Sequence, residues 1–172
     1  VIVRNGNEEG LRKLRAFVPL KPSSSEVLIL SYELFRLHVK VICHAPKIGL
    51  LVVDEGHRLK NTSGSQTLSA LNSIKAESRI LITGTPIQNN LSEFYTVANF
   101  AVPGILGDLN TFRRVYERPM SRANQKNATL DQKEKGRQQS KLLDSITSTF
   151  VLRRLQKDVL KSMLPPRKEI LL

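Results

Sequence analysis

Two adjacent carboxylates, Asp54 and Glu55, close an apolar run in LLVVDEGHRLKN (residues 50–61), with Gly56, His57, Arg58, Lys60 and Asn61 close behind. Carboxylates of this kind can hold a divalent cation, orient water or take a proton from it. At the carboxyl end of a parallel strand they would stand where ligands gather and helix N-termini favour anions. A phosphate arriving there is repelled by two acids unless a cation comes between them. The pattern therefore suits Asp54 as a holder of Mg²⁺, directly or through water, and leaves Glu55 to orient or deprotonate water. The same pair would also serve to end a strand and cap a helix, and two residues alone do not separate these readings.

A second apolar run breaks into polar chemistry at LITGTPIQNN, residues 81–90. Hydroxyls of Thr83 and Thr85 at a strand tip can hydrogen-bond a neighbouring carboxylate or histidine. Gly84 permits close backbone approach and Pro86 sets the following turn. Read by itself, the segment is also an ordinary strand-to-helix turn.

These tips need strands beneath them. Three short runs, EVLILSYE (26–33), IGLLVVDE (48–55) and SRILITGT (78–85), are rich in aliphatic residues, as strands of a parallel sheet covered on both faces are. Between them Leu34, Leu37 and Val41, and then Leu68, Leu71 and Ile74, recur at helical spacing. Alternation of strand and helix predicts an α/β fold. The pair Asn90 and Glu93 suits the start of a helix carrying Leu91, Phe94, Tyr95 and Ala98 on one face, with Pro103 and Gly104 ending it. Beyond Phe112 the chain turns polar and basic, and a helical excursion with a mobile middle around SRANQKNATLDQKEKG (121–136) is expected.

The charge is uneven. Across 172 residues 27 Lys and Arg oppose 15 Asp and Glu, a net +12, and Arg113–Lys161 alone carries 13 bases against 5 acids. Such a balance is the electrostatic footprint expected of a nucleic-acid partner, although charge alone would also suit a ribosomal or acidic-membrane binder. No apolar run nears the roughly 20 residues of a membrane span, so no membrane partner is expected. The single cysteine, Cys43, forms no internal disulfide and suits a reducing compartment.

Taken together, LILSYE, DEGHRLKN, LITGTPIQNN, NFAVPGILG and the terminal FVLRRLQKDVLKSMLPPRKE resemble the SWI/SNF-type DNA translocase ATPases of helicase superfamily two. DEGH, PGILG and FRRVYERPM are most similar to the recombination-repair subgroup of the RAD-fifty-four type. The resemblance implies a RecA-like parallel sheet flanked by helices, with residues 1–112 as the later part of the first ATPase lobe. Residues 113–150 would be a basic helical protrusion, and 151–172 the connection toward a second lobe.

It also implies ATP and Mg²⁺ as cofactors. Asp54 would hold the metal, and Glu55 would act as general base or water-positioning group. Asp54, Glu55 and His57 would border the nucleotide, with His57, Thr83, Gly84 and Thr85 coupling its state to DNA. Double-stranded DNA would meet Arg58, Lys60, Asn61, Gln88, Asn89, Arg113, Arg114, Arg153 and Arg154. A nucleus-located recombination or chromatin-remodelling motor follows, with a recombinase filament or nucleosomes as further partners.

One part of the family pattern is missing. No G-x-x-x-x-G-K-[ST] phosphate loop occurs in the chain, the family placing it ahead of Val1, and both ends read as cut. The 172 residues alone are therefore expected not to turn over ATP and to leave an apolar sheet edge open. The competing expectation is a non-hydrolysing basic module that binds DNA or a partner.

Overall fold

The computed structural model describes residues 1–3, 6–18, 26–44, 48–60, 62–84 and 90–154, and only the backbone of Lys60 and of 62–65. The chain divides into two compact units, Val1–Glu117 and Arg118–Leu172.

In the first unit, α1 (Glu8–Phe17) and α2 (Tyr32–Ile42) precede β1 (Ile48–Val53). A 3₁₀ turn (Gly56–Lys60) and α3 (Thr62–Asn72) then lead to β2 (Ala76–Leu81), followed by α4 (Leu91–Ala101). The strands pair in parallel, with Leu51 opposite Arg79, Val52 opposite Ile80 and Val53 opposite Leu81. This parallel pair with flanking helices is the α/β arrangement that the apolar runs predict.

One face of the pair joins the core, where Val53 packs in a cluster with Leu14, Phe35, Leu59, Leu71 and Phe100. Arg79 is built into that side. Its guanidinium bonds Asn72 Oδ1 (3.0 Å) and the Phe100 carbonyl (3.1 Å), and stacks 5.0 Å over the Phe100 ring. It fastens β2 to the end of α4.

Three expectations change. The run at 26–33 is not a full strand: Ile29 makes one parallel bridge, donating to Val1 O (2.9 Å) and accepting from Val3 N (3.0 Å). The chain turns helical at Tyr32 because the Ser31 hydroxyl caps the Leu34 amide, an N-cap that ends any extension. Nor is the sheet covered on both faces by the described residues, since Leu50, Val52, Ile80 and Ile82 remain 47–51% exposed.

The third change concerns the basic excursion, which is ordered as helices. After α5 (Leu109–Phe112) and a π turn (Arg113–Glu117) in the first unit, the second unit pairs α6 (Arg118–Ala123) with α7 (Leu130–Thr147). Thr129 and Gln132 form a reciprocal capping box that starts α7. Gly136 then lets the helices touch, for a Cβ there would lie 2.2 Å from Ala123 Cβ and 3.3 Å from the Pro119 carbonyl oxygen. Neither neighbour can yield by rotating a side chain.

Gly136→Ala should therefore destabilise the hairpin by about 1–3 kcal/mol through overpacking. On an open helix face the same change would stabilise by up to about 1 kcal/mol. The sign of the shift in a denaturant-unfolding midpoint decides between a tight and an open crossing. No described helix is long and apolar enough to cross a membrane.

Candidate active site

β1 delivers Asp54 and Glu55 to its carboxyl end, both exposed. The turn that follows is tied directly to β2. Ile82 N–H donates to the Val53 carbonyl (2.8 Å), and Gly56 N–H donates to the Ile82 carbonyl (2.8 Å). Glycine is needed at 56 because a Cβ would fall 2.2 Å from Leu81 Cδ2 and 2.4 Å from its Cγ. The acidic turn and the exit of β2, where half-buried Thr83 and exposed Gly84 follow, thus form one continuous edge.

Within the turn, the Asp54 carboxylate accepts the Glu55 amide at 2.8 Å, its other oxygen bonded to none of the described residues. Glu55 has φ of 51°, in the left-handed region. For a residue with a side chain that region costs roughly 1–2 kcal/mol, so it persists only where neighbouring contacts enforce it. His57 Nδ1 is buried and 3.2 Å from Glu55 Oε2, without hydrogen-bond alignment. The expected hydrogen bond from His57 toward the threonine-glycine turn is not made by this nitrogen, which faces Glu55 instead.

Arg58 is already engaged. Its guanidinium lies 2.8 Å from Glu33 Oε1 and 5.0 Å over the Tyr32 ring, both residues of the first turn of α2. The Glu33 carboxyl is held below the usual carboxylate range, first by the backbone amide at its own position, then by the bonds from Arg58 and Ser31. The Tyr32 hydroxyl donates to the main-chain carbonyl of Asp54 at 2.5 Å. Burial pushes that phenol up; the Arg58 charge opposes the rise, and Asp54 and Glu55 add to it.

The remaining sequence candidates are distributed. Asn61, Thr85, Gln88 and Asn89 lie outside the described residues, as does the side chain of Lys60. Arg113 and Arg114 are exposed on the π turn of the first unit, where Arg113 lies 3.5 Å from Glu117, which also accepts from Ser92 Oγ at 2.7 Å. Arg153 and Arg154 are exposed and follow α7 in the second unit. Tyr32 and Glu33 were missed from the sequence. Their signal was Ser31, a capping residue just ahead of the helical periodicity that begins at Leu34.

Among the described residues no three His, Cys, Asp or Glu side chains gather to hold a metal by themselves. That fits Mg²⁺, which takes one or two carboxylates and completes its shell with water and substrate phosphates. Asp54, an exposed carboxylate, could supply one such ligand.

The family model described as SNF2-related domain matches residues 6–172. The DNA repair and recombination protein RAD54B of Gallus gallus is 45% identical over 143 residues, 83% of this chain and 15% of that protein. The DNA repair and recombination protein RAD54-like of Gallus gallus is 40% identical over 168 residues, 98% of this chain and 21% of that protein. This chain thus spans about a fifth or less of those curated relatives. Among solved structures, the Sulfolobus solfataricus SWI2/SNF2 ATPase core in complex with dsDNA superposes with a TM-score of 0.64 at 22% identity, over 95% of this chain and 30% of that one.

Proposed function

The chain belongs to the SNF2-related domain family, and from that premise we propose that it is the later part of the first motor lobe of an ATP-dependent double-stranded DNA translocase. The reading places the intact protein in the nucleus, in homologous recombination repair or chromatin remodelling, in keeping with the names of the relatives it resembles. One observation carries it. The acids at the tip of β1 and the threonine-glycine turn after β2 share a single hydrogen-bonded edge, through Gly56 and Ile82.

In this reading Asp54 would hold Mg²⁺, which when bound with ATP would supply positive charge beside the phosphates. Glu55 orients or deprotonates the water that attacks the γ-phosphate. His57 lies 3.2 Å from the Glu55 carboxylate, and a change at the acids would pass along the shared edge to Thr83 and Gly84, with Thr85 beyond them. The cationic side chains of Arg58, Lys60, Arg113, Arg114, Arg153 and Arg154, with the neutral amides of Asn61, Gln88 and Asn89, take phosphates of the duplex. Phosphate contacts position a protein without reading bases, so little sequence preference is expected. A recombinase filament or nucleosomes remain proposed partners.

Phosphate release by the full-length protein tests the reading. A blunt duplex should stimulate ATP hydrolysis, with random and defined sequences equivalent. Salt-sensitive duplex binding with no stimulated hydrolysis would instead support a basic binding module.

A further inference from the structure

The peptide group between Asp54 and Glu55 is held at both of its polar atoms. Its carbonyl accepts the Tyr32 hydroxyl, and its N–H is taken by the Asp54 carboxylate. This is the peptide that leads into the left-handed backbone of Glu55. Rotating the peptide plane changes ψ of Asp54 and φ of Glu55 together, and is the simplest way for the chain to leave that conformation. It would also re-aim the Glu55 side chain. A hydroxyl bonded to the carbonyl opposes the rotation, whereas the carboxylate bond alone is local and can travel with the chain.

Tyr32 is itself secured. It packs against the core cluster, and its ring carries the Arg58 guanidinium, which is bonded to Glu33. Arg58 belongs to the 3₁₀ turn just after the acids. The first turn of α2 therefore grips the acidic turn before Glu55, at the Asp54 carbonyl, and after it, at Arg58.

We propose that Tyr32 is a positioning residue for the acidic pair: its hydroxyl sets the Asp54–Glu55 peptide plane, and so the direction in which Glu55 meets the attacking water. The inference rests on the ATPase reading above. It assigns to the SYE segment a task in the hydrolysis step.

Tyr32→Phe removes only the hydroxyl and keeps the ring beneath Arg58. In the full-length protein with saturating duplex, kcat for ATP hydrolysis should fall about 10- to 100-fold, the range for a small misplacement of a reacting group. KM for ATP should stay at the parent value, and the melting temperature should fall by no more than the loss of one exposed hydrogen bond entails. A kcat within about twofold of the parent, too small for lost alignment, would overturn the proposal. So would a fall matched by a raised KM or by a loss of stability well beyond one hydrogen bond, which would make the effect of Tyr32 one on binding or on the fold rather than on alignment. Glu55→Gln, run beside it, separates the two failures. If that variant is inactive while Tyr32→Phe is normal, only the positioning role is lost; if it hydrolyses ATP normally, the ATPase assignment of the acids fails and this inference with it.

Discussion

Replacing Glu55 by Gln in the full-length protein should leave ATP bound and almost unhydrolysed, with kcat lower by about 10²- to 10⁴-fold, the usual contribution of a positioned base. The amide has the shape of the carboxylate but cannot take a proton from water. The site itself should survive the change. Asp54 remains to hold the metal, and removing one negative charge eases the approach of phosphate. The 3.2 Å spacing to His57 Nδ1 accommodates an amide as well as a carboxylate. Steady-state phosphate release and the affinity for a fluorescent ATP analogue give the two numbers needed. Turnover within about tenfold of the parent, below the range of base catalysis, would remove Glu55 from the role of base, whatever its effect on binding.

That Glu55 could be singled out before any coordinates reflects which parts of this fold are local. β1 and its acidic tip were legible because an apolar run that ends in charge has few places to go except the edge of a sheet. The start of α4 was legible because Asn90 and Glu93 satisfy one another and the first amides of the helix, an arrangement written within four residues. Residues 26–33 misled for the opposite reason. VLIL has strand composition, but the Ser31 cap at its end commits the chain to a helix one residue later, leaving room for only a single bridge at Ile29.

The basic excursion misled through composition. Lys, Gln and Asn in series read as mobile, while the capping box at Thr129 and the Gly136 crossing, which order it, are two small local features. The Tyr32 bond to Asp54 spans 22 residues and has no periodic signature, so only the folded chain reveals it. The apolar character of Leu50, Val52, Ile80 and Ile82 was legible as strand but not as exposure. Exposure depends on what packs over a strand, which the strand's own residues do not encode.

The ordered hairpin turns a diffuse charge into a testable surface. On α7, Lys133, Arg137 and Lys141 recur every four residues, so they form one stripe roughly 12 Å long. All three are exposed, whereas Gly136 and Leu143 of the same helix are buried. Arg137 is partly committed, its Nε and Nη2 each 3.0 Å from a Glu134 oxygen. That pairing holds the Glu134 carboxyl below its usual range, so the acid stays charged and competes with any phosphate for the guanidinium.

Changing Lys133, Arg137 and Lys141 together to Ala should flatten the slope of log affinity for duplex against log salt by about 0.9 for each phosphate that is no longer neutralised. Near 0.1 M salt affinity should weaken by up to about 10²-fold if all three engage phosphate. Glu134→Gln should act in the opposite direction, tightening duplex binding by freeing Arg137. ATP affinity should not follow either change, because the acidic turn belongs to the other unit. Titrations of a labelled duplex at several salt concentrations supply the slopes. An unaltered slope in the triple variant would make the stripe a solvated helix face and leave duplex binding to the other proposed phosphate contacts.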